Sequence, residues 1–237
     1  MMEDEQIKQQ AIDFARAHKQ EIARELTNIK NFPSDVVPVS VFMAGSPGAG
    51  KTESSQRLIE RLSGDGHSVL RIDPDDLRTR FESYSGKNSS LFQSATSIIA
   101  DRMQDLAIDQ HQSYVFDGTL SNLRRTRENI KRCLDHHRVV QILYVYQDPL
   151  QAWKFVLARE TKDGRMIPQE SFIAQYLTAR ENVNLLKQEL GSKVRVDLLV
   201  KNIDGSDFSY RENIDLIDRY IPERYTQDTL RVALKNL

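Results

Sequence analysis

Short apolar runs alternate along this chain with longer stretches in which apolar residues recur every three or four positions. Val39 to Ala44 is an apolar run of strand length, and 68–72, 114–116, 139–146 and 194–200 read the same way. Between them, 53–62, 91–110, 121–137, 149–161 and 168–190 carry the helical period. Ahead of the first strand, Ile7, Ala11, Phe14, Ala15, His18, Ile22, Leu26 and Ile29 mark one face of a long helix over 3–31, ended by Phe32-Pro33-Ser34-Asp35. Residues 209–237 are amphipathic and read as further helix. Strands separated by helices predict an α/β fold, with a mostly parallel five-stranded sheet covered by helices on both faces, plus N- and C-terminal helices. One domain is expected: a helical segment at 1–35 packed on the core, the core itself at 36–205, and a helical extension at 206–237.

In such a sheet, ligands lie beyond the carboxyl ends of the strands. Directly after the first strand comes Gly45-Ser46-Pro47-Gly48-Ala49-Gly50-Lys51-Thr52, which fits G-x-x-x-x-G-K-[ST] without a mismatch. Its glycines let the backbone wrap an anion and turn N–H groups inward, and the following helix adds its positive end. Ser54 lies in that helix's first turn and joins the candidate phosphate-binding residues. Lys51 is positioned to reach the terminal phosphates of ATP or GTP, and the Thr52 hydroxyl to ligate Mg²⁺.

Two further strand ends carry acids. Asp73-Pro74-Asp75-Asp76 follows the second strand and reads as a helix start. Asp73 has the position of a cap, so Asp75 is the better candidate to orient or deprotonate an acceptor hydroxyl. Asp117-Gly118-Thr119 follows the third strand; Asp117 is placed to ligate the metal, directly or through water, although a turn-forming Asp-Gly has the same spelling. Arg159 precedes the Asp163-Gly164 break and Arg165 follows it, so a Gly-centred lid at about 159–168 can bring arginine onto a transferring phosphate. Arg124, Arg125 and Arg127 read mainly as solvated charges.

Composition narrows the classes. At 237 residues, with 39% hydrophobic and 28% charged positions, the chain can bury a substantial core. A formal net charge of −1 argues against a dominant surface for duplex nucleic acid. No apolar run reaches membrane-span length, and the acidic, polar first residues are not those of a secretory leader, so a cytoplasmic protein is expected. The one cysteine, Cys133, reads as a small buried residue of an amphipathic helix. No His/Cys/Asp/Glu spacing marks a protein-only metal site.

Taken in order, Gly45 to Thr52, Arg71-Ile72-Asp73-Pro74-Asp75, Phe116-Asp117-Gly118-Thr119, Leu157-Ala158-Arg159 and Gly164-Arg165-Met166-Ile167-Pro168 resemble the zeta toxin family of P-loop kinases, over roughly 36–190. The resemblance implies a P-loop kinase fold and transfer of the ATP γ-phosphate to UDP-N-acetylglucosamine or a similar UDP-amino sugar, with a separate protein antitoxin as partner. It further implies that Lys51 is the phosphate-loop lysine, Asp75 the catalytic aspartate, Arg159 and Arg165 the lid arginines, and that Asp73, Asp101, Asp117 and Thr119 line the acceptor site. The chain departs from the family in having Asp at 101 and 117 where glutamates are usual, and Ser121 where an arginine soon follows the Gly-Thr. Two other readings stay open. One is a P-loop kinase of another hydroxyl (a dinucleotide, another sugar nucleotide or a polynucleotide 5′ end), and the other is a nucleotide-dependent regulatory module.

Overall fold

The computed structural model describes residues 2–63, 68–164 and 166–237. The turn read at Gly64-Asp65-Gly66 lies outside the described residues, as does Arg165. Strand β1 (Val39–Ala44) runs through the middle of the sheet, paired in parallel with β3 (Tyr114–Phe116) on one side and β4 (Val139–Tyr146) on the other. Beyond β3 lies β2 (Leu70–Ile72), and beyond β4 lies β5 (Arg195–Lys201), again parallel. The chain leaves β1 toward β2 and later returns on β1's other side, so the order reverses beside the central strand. A ligand crevice is expected there.

A sixth strand, β6 (Asp207–Arg211), pairs antiparallel with β5 at the edge. This corrects the helical reading of the C-terminal extension. Gly205 (φ 84°) turns the chain, with Asn202 N–H donating to Ser206 O at 2.7 Å. The strand is mostly exposed, Phe208 to 70% and Tyr210 to 45%, so its apolar residues trace no buried face that a periodicity could report. The only α-helix of the extension is α7 (Gln227–Lys235), opened by reciprocal Thr226–Thr229 hydrogen bonds.

Helix α1 (Met2–Leu26) ends five residues before the expected end at residue 31. The Asn28 side chain accepts from Lys30 N–H at 2.9 Å, and this turn competes with further helix. Helix α2 (Lys51–Leu62) covers one sheet face, with Leu58 and Ile59 against Val41, Met43, Val115 and Leu143. The other face carries the main core under α1, α3 (Gln93–Asp109), α4 (Leu123–Asp135) and α6 (Gln169–Leu190). Asn122 caps α4 by accepting from Arg125 N–H. Cys133 is free and fully buried beside Tyr114. Among the described residues, no helix is long and apolar enough to cross a membrane.

Helix α5 (Pro149–Asp163) starts on an Asp148 cap with Pro149 in its first turn, and stops at Gly164 in the left-handed conformation (φ 70°). It is fixed by Trp153, whose ring lies 5.1 Å from that of fully buried Phe172 on α6. Phe172→Ala should therefore cost about 3–5 kcal/mol, read as a lower denaturant midpoint at unchanged slope. A loss below about 1 kcal/mol would contradict this packing.

Candidate active site

The chain turns straight from β1 into the phosphate loop. Gly45 (φ 134°) and Gly48 (φ 74°) have conformations that L-residues rarely adopt, and a Cβ at either would collide with the carbonyl oxygen of Val145 or Ala152. The backbones of β4 and α5 therefore press directly on the loop. Pro47 and Ala49 complete its arc, and Lys51 and Thr52 open α2 with the helix's positive end behind them. Lys51 Nζ curls back to donate to Ser46 O at 2.7 Å. Ser54 spends its hydroxyl on Gly50 O at 2.8 Å, within its own helix.

Burial pushes the Lys51 pKa down, against the pull of Asp117, Asp75 and Asp73, and the charge of exposed Arg159 adds to the downward push. Loop, acids and Arg159 thus share one electrostatic environment. At its centre is Arg71, in the middle of β2 and only 17% exposed. Its guanidinium meets Asp117 at 2.8 Å, Asp76 at 2.6 Å and Asp73, while Nε reaches Ser55 Oγ at 3.3 Å. Ser55 Oγ in turn donates to Asp117 Oδ2 at 3.0 Å, which ties the phosphate-loop helix to the acid at the end of β3. Burial opposes the Arg71 charge, but the carboxylates of Asp73, Asp117 and Asp76 outweigh it and raise its pKa.

The expected helix after β2 is only one short 3₁₀ segment, Asp76–Arg80. Asp73 Oδ1 accepts Asp75 N–H at 2.8 Å, a tight turn that replaces a regular helix cap. Burial raises the Asp73 pKa to about 7, helped by Asp117 and Asp75 and opposed by Arg71 and that N–H. Burial and the neighbouring acids outweigh the ion pair, because one guanidinium is divided among three carboxylates. Asp75 differs: its side chain is 44% exposed and meets Arg78, three residues on, at 2.7 Å.

The third loop closes the crevice. Thr119 O accepts Gly45 N–H at 3.4 Å, and the Thr119 and Ser121 hydroxyls lie 2.9 Å apart. Leu120 is held at φ 56° with its carbonyl bonded by Asn182 Nδ2 at 2.8 Å, a strained conformation beside the loop. Asp101, by contrast, is engaged on α3 with Arg125 of α4 at 2.7 Å, and no bond links it to the Arg71 cluster. Arg124 and Arg127 pair at the surface with Glu128 and Glu189. Arg71, Ser55 and Arg78 carry the site's geometry and had no role from sequence. The available signal was an arginine inside a short apolar strand, which burial obliges to find acids.

The residues fit a Mg-nucleotide: a glycine cradle at a helix N-terminus, a lysine resting on its carbonyl, and a nearly buried carboxylate, Asp117 (side chain 6% exposed), beside the Thr52 turn. Among the described residues, no group of three His, Cys, Asp or Glu is arranged to hold a metal alone. A magnesium ion would therefore draw on Thr52, phosphate oxygens and water, with Asp117 behind them.

A parallel sheet reversing beside β1, with this loop at the reversal, defines a P-loop phosphotransferase. The chain belongs to the zeta toxin family, which it matches over residues 22–215. In structure it is similar to a protein of the PezAT chromosomal toxin–antitoxin system of Streptococcus pneumoniae, with TM-score 0.68, 15% identity and 93% of each chain covered. It is also similar to the AvrRxo1-ORF1:-ORF2 complex with ATP, with TM-score 0.59, 16% identity, and coverage of 93% of this chain and 72% of that one. The same complex with sulphate ions gives TM-score 0.60 at 17% identity, covering 91% and 70%. No curated protein sequence matches significantly.

Because the folded-state pKa of Asp73 lies above its unfolded value, the folded protein holds that proton more tightly. Its contribution to stability is complete below about pH 4 and is lost as pH rises to about 7, with a slope of at most about 1.4 kcal/mol per unit. Denaturation midpoints across this window should fall more steeply for the parent protein than for Asp73→Asn. Identical pH profiles would contradict the buried, crowded state of Asp73.

Proposed function

We propose that this phosphotransferase moves the γ-phosphate of ATP, in the presence of Mg²⁺, to a hydroxyl of a small-molecule acceptor, a UDP-activated amino sugar such as UDP-N-acetylglucosamine. The observation that carries the reading is Asp75, a half-exposed carboxylate in the same crevice as Lys51 and Arg159. A pure nucleotide binder needs no such acceptor base. GTP fits the phosphate loop on the same grounds.

In this reading, the N–H groups of 45–52 cradle the β- and γ-phosphates, and Lys51 leaves Ser46 O to neutralise them. Bound magnesium would supply further neutralisation of the phosphate oxygens. Asp75 accepts the acceptor's hydroxyl proton, fixed by Arg78 while Asp73 is committed to Arg71 and the Asp75 N–H. Arg159 from α5, with Arg165 beyond Gly164, spreads the charge of the transferring phosphoryl and excludes water as the lid closes. Asp73, Asp117 and Thr119 border the acceptor space, with Asp101 behind them.

The amino-sugar acceptor rests on the family. The Asp101–Arg125 pair and Ser121 in place of the usual arginine favour, as a second reading, a kinase of another sugar nucleotide or of a dinucleotide. Similarity to a toxin–antitoxin protein supports a protein antitoxin as partner, and dependence on ATP suits a cytoplasmic site of action.

Incubation with γ-labelled ATP and a panel of nucleotide sugars, dinucleotides and oligonucleotides, followed by mass spectrometry, tests the proposal. Phosphorylated UDP-N-acetylglucosamine is the expected product. ATP hydrolysis that leaves every UDP-amino sugar unmodified would remove the acceptor assignment. No saturable Mg²⁺-dependent nucleotide binding up to millimolar concentration would remove the kinase reading.

On the true acceptor, Asp75→Asn should lower kcat by about 10²–10⁴ with nucleotide affinity nearly unchanged. Arg159→Ala should cost about 10³–10⁵ in turnover with little loss of stability. If Asp73→Asn is crippled while Asp75→Asn is not, the two aspartates exchange roles.

A further inference from the structure

Behind the phosphate loop lies a buried charge that the transfer scheme does not use. Lys201 ends β5 with its side chain only 1% exposed. It fills the space beneath Gly50, where a Cβ would sit 3.3 Å from Lys201 Cε and 3.8 Å from Nζ. Gly50 is the left-handed residue (φ 82°) directly before Lys51, so its conformation aims the first N–H groups of α2. Lys201 Nζ donates to Asp207 Oδ1 at 2.7 Å, and Asp207 also accepts from Arg57 on α2 at 3.3 Å. Lys201 and Asp207 face one another across β5 and β6, so the edge strand supplies the counter-ion.

A methionine would fill this volume without the cost of desolvating an ammonium. The Asp207 carboxylate is itself 39% exposed and shared with Arg57, so one negative charge faces two positive ones here. The Glu53 carboxylate lies on that same side, 3.6 Å from the Gly50 Cβ position, in the first turn of a helix meant to receive phosphate. A fixed cation there offsets Glu53 and adds to the field of the helix terminus.

We propose that Lys201 is a positioning residue of the nucleotide site, supporting Gly50 from beneath and strengthening polyphosphate binding through a charge that never touches the ligand. The inference rests on the phosphate loop being the nucleotide site. Its signature is an effect that grows with the number of phosphates.

The test is calorimetric titration of AMP, ADP and ATP, each with Mg²⁺, into the full chain and into Lys201→Met and Lys201→Arg, with thermal unfolding in parallel. Lys201→Met should weaken ATP binding about tenfold and AMP binding little, while Lys201→Arg stays within about threefold of the parent. In turnover, Lys201→Met should raise the KM for ATP with kcat nearly unchanged. Parent-like ATP binding by a folded Lys201→Met, or equal losses for AMP and ATP, would overturn the proposal. If the methionine variant does not fold, Lys201→Arg decides: retained ATP affinity supports the charge, and a tenfold loss overturns it. A parent protein that binds none of the three nucleotides would instead overturn the nucleotide-site reading beneath it.

Discussion

One guanidinium organises the candidate active site. Arg71 is shared among Asp73, Asp76 and Asp117, and through Ser55 it reaches the helix that follows the phosphate loop. Strand β2 is only three residues long and lies at the sheet edge, so its few ladder bonds give the acids that follow it little rigidity. The ion-pair cluster supplies that rigidity instead. It also leaves more negative than positive charge in a nearly closed space, which adds to burial in raising the Asp73 pKa to about 7 and favours cationic company such as Lys51 or a metal. Removing one partner from such a cluster leaves uncompensated buried charge, so its members act as a unit.

The phosphate loop is shaped by backbone contact as well as by its own hydrogen bonds. Val145 O and Ala152 O lie where Cβ atoms at Gly45 and Gly48 would go, so β4 and the start of α5 set the loop's shape. The same α5 carries Arg159 at its far end and is anchored on α6 through Trp153 and Phe172. One packed helix thus presses on the phosphate loop near its start and carries Arg159 near its end.

Much of this was legible in the chain. The phosphate loop, the central strands at 39–44 and 139–146, and the helices read at 149–161 and 168–190 follow from periodicity broken by Gly and Pro at the places where the backbone turns. What escaped was set by tertiary contact. Strand β6 is too exposed to show alternation, and α1 stops at an Asn28 turn although apolar spacing continues to Ile29. Arg71, Arg78 and Lys201 are charges whose meaning depends on which carboxylates the fold delivers to them. The Asp101–Arg125 pair likewise depends on the fold, which brings α3 and α4 together.

If the phosphate loop is the nucleotide site, Lys51, now bonded to Ser46 O, stands where a nucleotide's terminal phosphates bind. A crystal structure with a non-hydrolysable ATP analogue and Mg²⁺ decides this. Expected are phosphates within the arc of 45–52, Lys51 Nζ moved from Ser46 O onto them, and the Arg71–Asp117–Asp73 cluster intact beneath the metal. Nucleotide seated elsewhere, or Lys51 still bonded to Ser46 O beside an occupied loop, would contradict it.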